Sequence, residues 1–120
     1  MPAITTIFST LVALEFLYIM YLETLATTSK TTARVFKLTT MELKQKNINI
    51  LFKNQGIYNG VIGCLILLSL YVFPDPHWTV LLLCSCVIVA LYGGLTSDAM
   101  IILKQGGLPA ITLFLFVLQG

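Results

Sequence analysis

The chain has 120 residues, of which 58% are hydrophobic and only 10% charged. Soluble domains carry about 25% charged residues, so this chain has too little polar surface to cover a soluble core of its size. Seven Lys and Arg stand against five Asp and Glu; so small a net charge names no partner, and the placement of the charges carries the information instead.

Four apolar stretches run in order, at about residues 3–25, 51–73, 78–96 and 101–118. Each approaches the ~20 residues that span a bilayer core. Backbone groups in lipid must bond within the chain, which makes these stretches helices. The expected fold is all-α: a polytopic membrane protein forming a four-transmembrane-helix bundle, as one membrane domain over residues 1–120. The first stretch does not read as a cleaved signal peptide. It has no basic segment ahead of it, carries two Glu and lacks a small-x-small cleavage site.

Within the first span, Glu15 sits close to mid-bilayer, about 18 Å along the helix, and Glu23 about 12 Å further on. An ionised carboxylate in hydrocarbon costs at least about 2.5–3.5 kcal/mol. A partner, water or a proton must therefore meet Glu15. At about 100° per residue, Tyr18 lies about 60° from Glu15 on one side and Glu23 about 80° on the other, so the three share a face. Glu23, near the interface, has a simpler alternative: an ion pair with Lys53 or Lys30.

The segment at about residues 27–50 is the only substantial polar one. Thr39 with Glu42 fits a capping box that opens a helix. That helix either runs into the second span or lies at the interface with Phe36, Leu38, Met41 and Leu43 toward lipid. Lys30, Arg34, Lys37, Lys44, Lys46 and Lys53 lie between spans one and two, and Lys104 opens span four. All fall on one side of the layout. The positive-inside rule puts that side in the cytoplasm and both termini outside, in a bacterial cytoplasmic membrane. The basic loop reads as orientation and attraction to anionic headgroups rather than nucleic-acid binding.

Span two opens Lys53-Asn54-Gln55-Gly56-Ile57-Tyr58-Asn59-Gly60. Gln55, Tyr58 and Asn59 fall within about 100° of arc, with Asn54 at its edge. Gly56, Gly60 and Gly63 form the adjoining face, in the small-x-x-x-small spacing that lets helix backbones approach. Such faces also fit a homodimer. By depth, Asn59 lies level with Glu15, and Asn54 and Gln55 nearer Glu23. Tyr71 and Trp78 flank the outer turn Phe73-Pro74-Asp75-Pro76-His77, where interfacial aromatics belong.

In spans three and four, Tyr92 and Gln105 approach the cytoplasmic side, with Asp98 as a loop or cap residue. Pro109 cannot donate to the Gln105 carbonyl, and Gly106 and Gly107 weaken the same turn. An unwound turn there would offer carbonyl oxygens as ligands. Together these residues outline a polar cavity with Glu15 at its floor. Glu23, Asn54, Gln55, Tyr58, Asn59, Tyr92 and Gln105 would wall it, with Tyr18 beside Glu15. The simpler alternative for the amides and hydroxyls is interhelical bonding without a ligand.

Cys64, Cys84 and Cys86 all lie within spans and form no zinc pattern, which reads as small packing residues. There is no Walker loop, dinucleotide fingerprint or H-E-x-x-H motif, so no cofactor or metal is expected. The partners expected are the lipid bilayer, an unidentified small-molecule ligand and a second copy of the chain.

The residues Ala13-Leu14-Glu15, Tyr18, Tyr21-Leu22-Glu23, then Asn54-Gln55-Gly56-Ile57-Tyr58-Asn59-Gly60, Tyr92-Gly93, and Gln105-Gly106 with Pro109-Ala110 resemble the bacterial membrane family called domain of unknown function 1304. The resemblance covers nearly the whole chain. It implies a small four-span inner-membrane protein and carries no activity with it. Gly106-Gly107 departs from the single Gly more usual in the family.

The leading functional expectation is a small protein that binds or transports a polar or cationic solute. Glu15 would serve as protonatable counter-ion, with Gln55, Tyr58 and Asn59 positioning the solute. The alternatives are an intramembrane enzyme on a lipid or isoprenoid-like substrate, with Glu15 or Glu23 as general acid or base, and a structural membrane subunit.

Overall fold

A computed structural model describes residues 1–119. Helices follow in the order α1 (Ala3–Thr24), α2 (Lys30–Phe36), α3 (Thr40–Lys44), α4 (Lys46–Leu67, continued by a π-helical turn Leu68–Val72), α5 (Pro76–Thr96) and α6 (Met100–Gln119). The fold is all-α, with no strand among the described residues. Four elements are long and apolar enough to cross a membrane: α1, α4 with its π turn, α5 and α6. Only 17–33% of each span is buried inside the protein. The remaining apolar surface, with Leu25, Leu95 and Val117 each at least 74% exposed, exceeds what a soluble monomer leaves open to water. Hydrocarbon is the solvent it fits, and the chain is a membrane protein.

Local signals explain the helix ends. Pro76 opens α5 where its missing N–H is unneeded, and the Asp75 carboxylate accepts from the His77 N–H at 3.0 Å. Thr39 Oγ1 accepts from the Glu42 N–H, and Glu42 Oε1 accepts from the Thr39 N–H, both at 3.0 Å. This is the capping box read from the sequence. The helix it opens is short. Gln45 turns extended (φ −61°, ψ 133°), and α4 starts afresh at Lys46, ahead of the apolar stretch. Thr39→Ala is expected to lose about 0.5–2 kcal/mol locally. Faster amide exchange confined to residues 40–44 checks it.

The chain divides into two compact units. One comprises residues 1–13 and the chain from Leu65 onward. Within it, α5 and α6 pair closely. A Cβ on Gly94 would sit 2.2 Å from Ile102 Cγ1, and one on Gly106 would sit 2.9 Å from Ala90 Cβ. Hydroxyls add to the packing: Ser69 Oγ and Thr79 Oγ1, both buried, are 2.8 Å apart, and at the surface Thr10 Oγ1 lies 2.7 Å from the Tyr71 hydroxyl. Thr5 Oγ1 donates to Gln119. The turn expected to unwind around Gln105 does not. Helix α6 runs through Pro109 from Met100 to Gln119. The ring tolerates helical φ and removes one donor, while Gly106 seats the helix against Ala90.

The second unit spans Leu14–Cys64: the later half of α1, then α2, α3 and all but the last turn of α4. Its core includes Phe16, Ile19, Leu22, Ala33 and Leu43. Phe36 of α2 meets Phe52 of α4 edge-on, with ring centroids 5.0 Å apart.

A buried carboxylate held by two amides

Glu23 lies in the last turn of α1 and is fully buried. Its Oε2 accepts from Gln55 Nε2 at 2.5 Å, and its Oε1 accepts from Asn59 Nδ2 at 2.6 Å. The donors stand four residues apart on α4, the spacing that stacks side chains on one helix face. Short bonds to an ionisable oxygen are the strong class of hydrogen bond. Among the described residues no salt bridge reaches Glu23, from Lys30 or Lys53 included.

Glycine sets this geometry. A Cβ on Gly56 would stand 2.6 Å from Thr24 Cγ2 and 2.9 Å from Glu23 Cβ, and one on Gly60 would stand 2.2 Å from Met20 Sδ. Bare backbone at these two positions lets α4 close on α1, so the short Asn59 side chain reaches the carboxylate. The same contacts fix the register: Gly60 against Met20, and Gly56 against Glu23 and Thr24. Asn59, expected level with Glu15, therefore sits with Glu23, about two helical turns away. The two substitutions should differ. In Gly60→Ala the flexible Met20 end can move. In Gly56→Ala the obstacle is Glu23 Cβ, next to backbone, so overpacking should cost about 1–3 kcal/mol. Thermal unfolding in detergent should rank Gly56→Ala below Gly60→Ala.

Hydroxyls stitch the end of α1. Thr27 Oγ1 donates to the Glu23 carbonyl at 2.8 Å. Thr32 Oγ1, on α2 and fully buried, lies 2.7 Å from the Ala26 carbonyl and 3.1 Å from that of Leu22. Its one proton is shared between carbonyls that the end of a helix leaves without N–H donors. Thr27 and Thr32 were not among the residues expected from sequence. Thr32 bonds ten residues back, which follows no helical period and which no spacing announces, while Thr27 bonds four back from just past the helix end.

Glu15 is half-buried. Its Oε1 is buried with no hydrogen-bond partner among the described residues. Tyr18, whose backbone position shares the carboxylate face, turns outward and stacks on Tyr21 with centroids 6.4 Å apart. Asn54 and Tyr58 are exposed. Tyr92, exposed, and Gln105, partly buried, belong to the other unit. Of the residues expected at the site, the structure joins Glu23, Gln55 and Asn59 by hydrogen bonds. Among the described residues no group of three or more His, Cys, Asp or Glu could hold a metal ion.

Chemically, the site is a carboxyl group with an amide donor aimed at each of its two oxygens. Each amide directs its NH2 group at Glu23, and its carbonyl oxygen is what it can offer a ligand. Such a set suits a cation or a hydrogen-bond donor.

Residues 10–117 match the family described as "Protein of unknown function (DUF1304)". The chain is similar to "Uncharacterized protein YpaA" of Lactococcus lactis subsp. lactis (strain IL1403). The two are 52% identical over 115 residues, covering 94% of this chain and 96% of that protein. No solved structure matches the chain.

Proposed function

The chain belongs to the DUF1304 family, whose function is unknown, and we propose that it binds and transports a small cationic solute at Glu23, Gln55 and Asn59. One observation carries this: a fully buried carboxylate in a membrane-spanning helix, held by two neutral amides and reached by no salt bridge among the described residues. Two amide donors orient the carboxylate but leave its charge. An uncompensated charge buried away from water costs several kcal/mol, and a neutral side chain would join two helices at lower cost. A proton or a cation therefore completes the site, and exchange of one for the other couples solute movement to protons. Glu15, about 12 Å away on the same helix, is a second protonatable counter-ion on the path.

The protein sits in the bacterial cytoplasmic membrane. The basic segment between α1 and α4 faces the cytoplasm, both termini face outward, and Glu23 lies near the cytoplasmic surface.

Guanidinium is a suitable probe, since it stays charged at all working pH values and pairs with carboxylates through two parallel donors. In liposomes loaded with a pH-sensitive dye, an inward guanidinium gradient should drive protons outward through the wild-type protein. Glu23→Gln, which keeps the size and hydrogen-bonding of the side chain, should abolish the movement while its helical content and unfolding temperature hold. Equal fluxes through wild type, Glu23→Gln and protein-free liposomes would contradict the proposal.

A further inference from the structure

We infer that helices α2 and α3 form a docking surface for anionic phospholipid headgroups, and that α2 passes their binding on to the Glu23 turn. The segment from Lys30 to Lys53 carries Lys30, Arg34, Lys37, Lys44, Lys46 and Lys53, all exposed, against the single acid Glu42. Glu42 is already engaged by the Thr39 N–H. Met41 stands 79% exposed on α3, three residues before Lys44 and so on the same helix face, giving an apolar tooth in the basic segment. That pairing fits a membrane surface, where the tooth enters the acyl boundary and the cations meet phosphates. The segment is tethered to two spans, so it meets the lipid of its own membrane.

The coupling half rests on the carboxylate site proposed above. Helix α2 holds both helices that build that site. On its buried side Thr32 bonds the carbonyls of Leu22 and Ala26, which bracket Glu23 in sequence. At its end Phe36 packs on Phe52, which lies on the Gln55–Asn59 face of α4 at helical spacing. Ser29 caps α2 by accepting from the Thr32 N–H at 3.2 Å, so Thr32 is fixed by the fold of α2 itself. Holding α2 against headgroups through Lys30, Arg34 and Lys37 therefore restrains the last turn of α1. Releasing it frees that turn.

Native mass spectrometry of the detergent-solubilised protein, titrated with phosphatidylglycerol, tests the docking. Each cation near a membrane surface contributes about fivefold in affinity. The variant Lys30→Gln/Arg34→Gln/Lys37→Gln should therefore bind on the order of a hundredfold more weakly. Binding of phosphatidylcholine should not change, and the titration needs no solute movement, so a failed transport assay leaves this result standing. Equal phosphatidylglycerol affinity in wild type and the triple variant would overturn the docking. So would competition by inorganic phosphate at equal concentration, which would assign the site to the free anion. Hydrogen exchange over residues 21–27 tests the coupling. Added phosphatidylglycerol should slow it in wild type and in Thr32→Ser, but not in Thr32→Val, which keeps the shape and loses the hydroxyl. Equal slowing in Thr32→Val would overturn the coupling.

Discussion

Replacing both amides, Gln55→Leu with Asn59→Leu, is expected to lower the unfolding free energy by about 2–6 kcal/mol. A buried polar group left without its partner costs about 1–3 kcal/mol, and Glu23 accepts one bond on each oxygen. The loss is large because Glu23 stays behind, buried and without donors. Adding Glu23→Leu to the same protein should therefore restore much of the stability, since removing all partners together leaves no orphaned polar group. Unfolding of the double and triple variants in one detergent, with Glu23→Leu alone completing the cycle, measures the coupling. If the triple variant were no more stable than the double, Glu23 would not be the group that the amides hold.

The second large effect has the opposite sign. Glu15 buries a carboxyl oxygen that has no hydrogen-bond partner among the described residues. An unsatisfied buried polar group costs about 1–3 kcal/mol. Glu15→Met, similar in length and apolar, should raise stability by that order. It should also slow guanidinium-driven proton movement in liposomes, because the path loses its second carboxyl. A rise in stability with undiminished flux would assign Glu15 no part in transport. A fall in stability would mean that Oε1 is satisfied in the membrane.

The two carboxylates are held differently. Glu23 is tied down by the amides of α4 and by the hydroxyl-stitched end of α1, whereas Glu15 Oε1 has no such anchor among the described residues.

Much of the architecture was legible in the sequence. Membrane spans announce themselves by length and apolarity, and the capping box at Thr39 stated where α3 begins. Its early stop at Gln45 was not legible, since no Gly or Pro marks it. At α6 the Gly106-Gly107-Leu108-Pro109 run suggested a break, yet Pro109 fits helical φ and Gly106 serves close packing on Ala90. For the site, helical periodicity gave the face correctly: Glu23 on α1, with Gln55 and Asn59 on α4. Its depths put Gln55 near Glu23, where the structure has it, but set Asn59 level with Glu15 instead of Glu23. Register between two helices depends on which side chains block approach, and here Gly56 and Gly60 set it by leaving room for Glu23, Thr24 and Met20. Outward rotamers of Tyr18 and Tyr58 were equally out of reach, because backbone position on a wheel does not determine where a long side chain points.

The proposed trade of a proton for a cation at Glu23 is tested by the proton count on binding. Purified protein in weakly buffered detergent solution is titrated with guanidinium while pH and bound cation are followed together. Wild type should release a proton for each guanidinium bound, and Glu23→Gln should do neither. Binding without proton release, or the same binding and release in Glu23→Gln, would contradict the account.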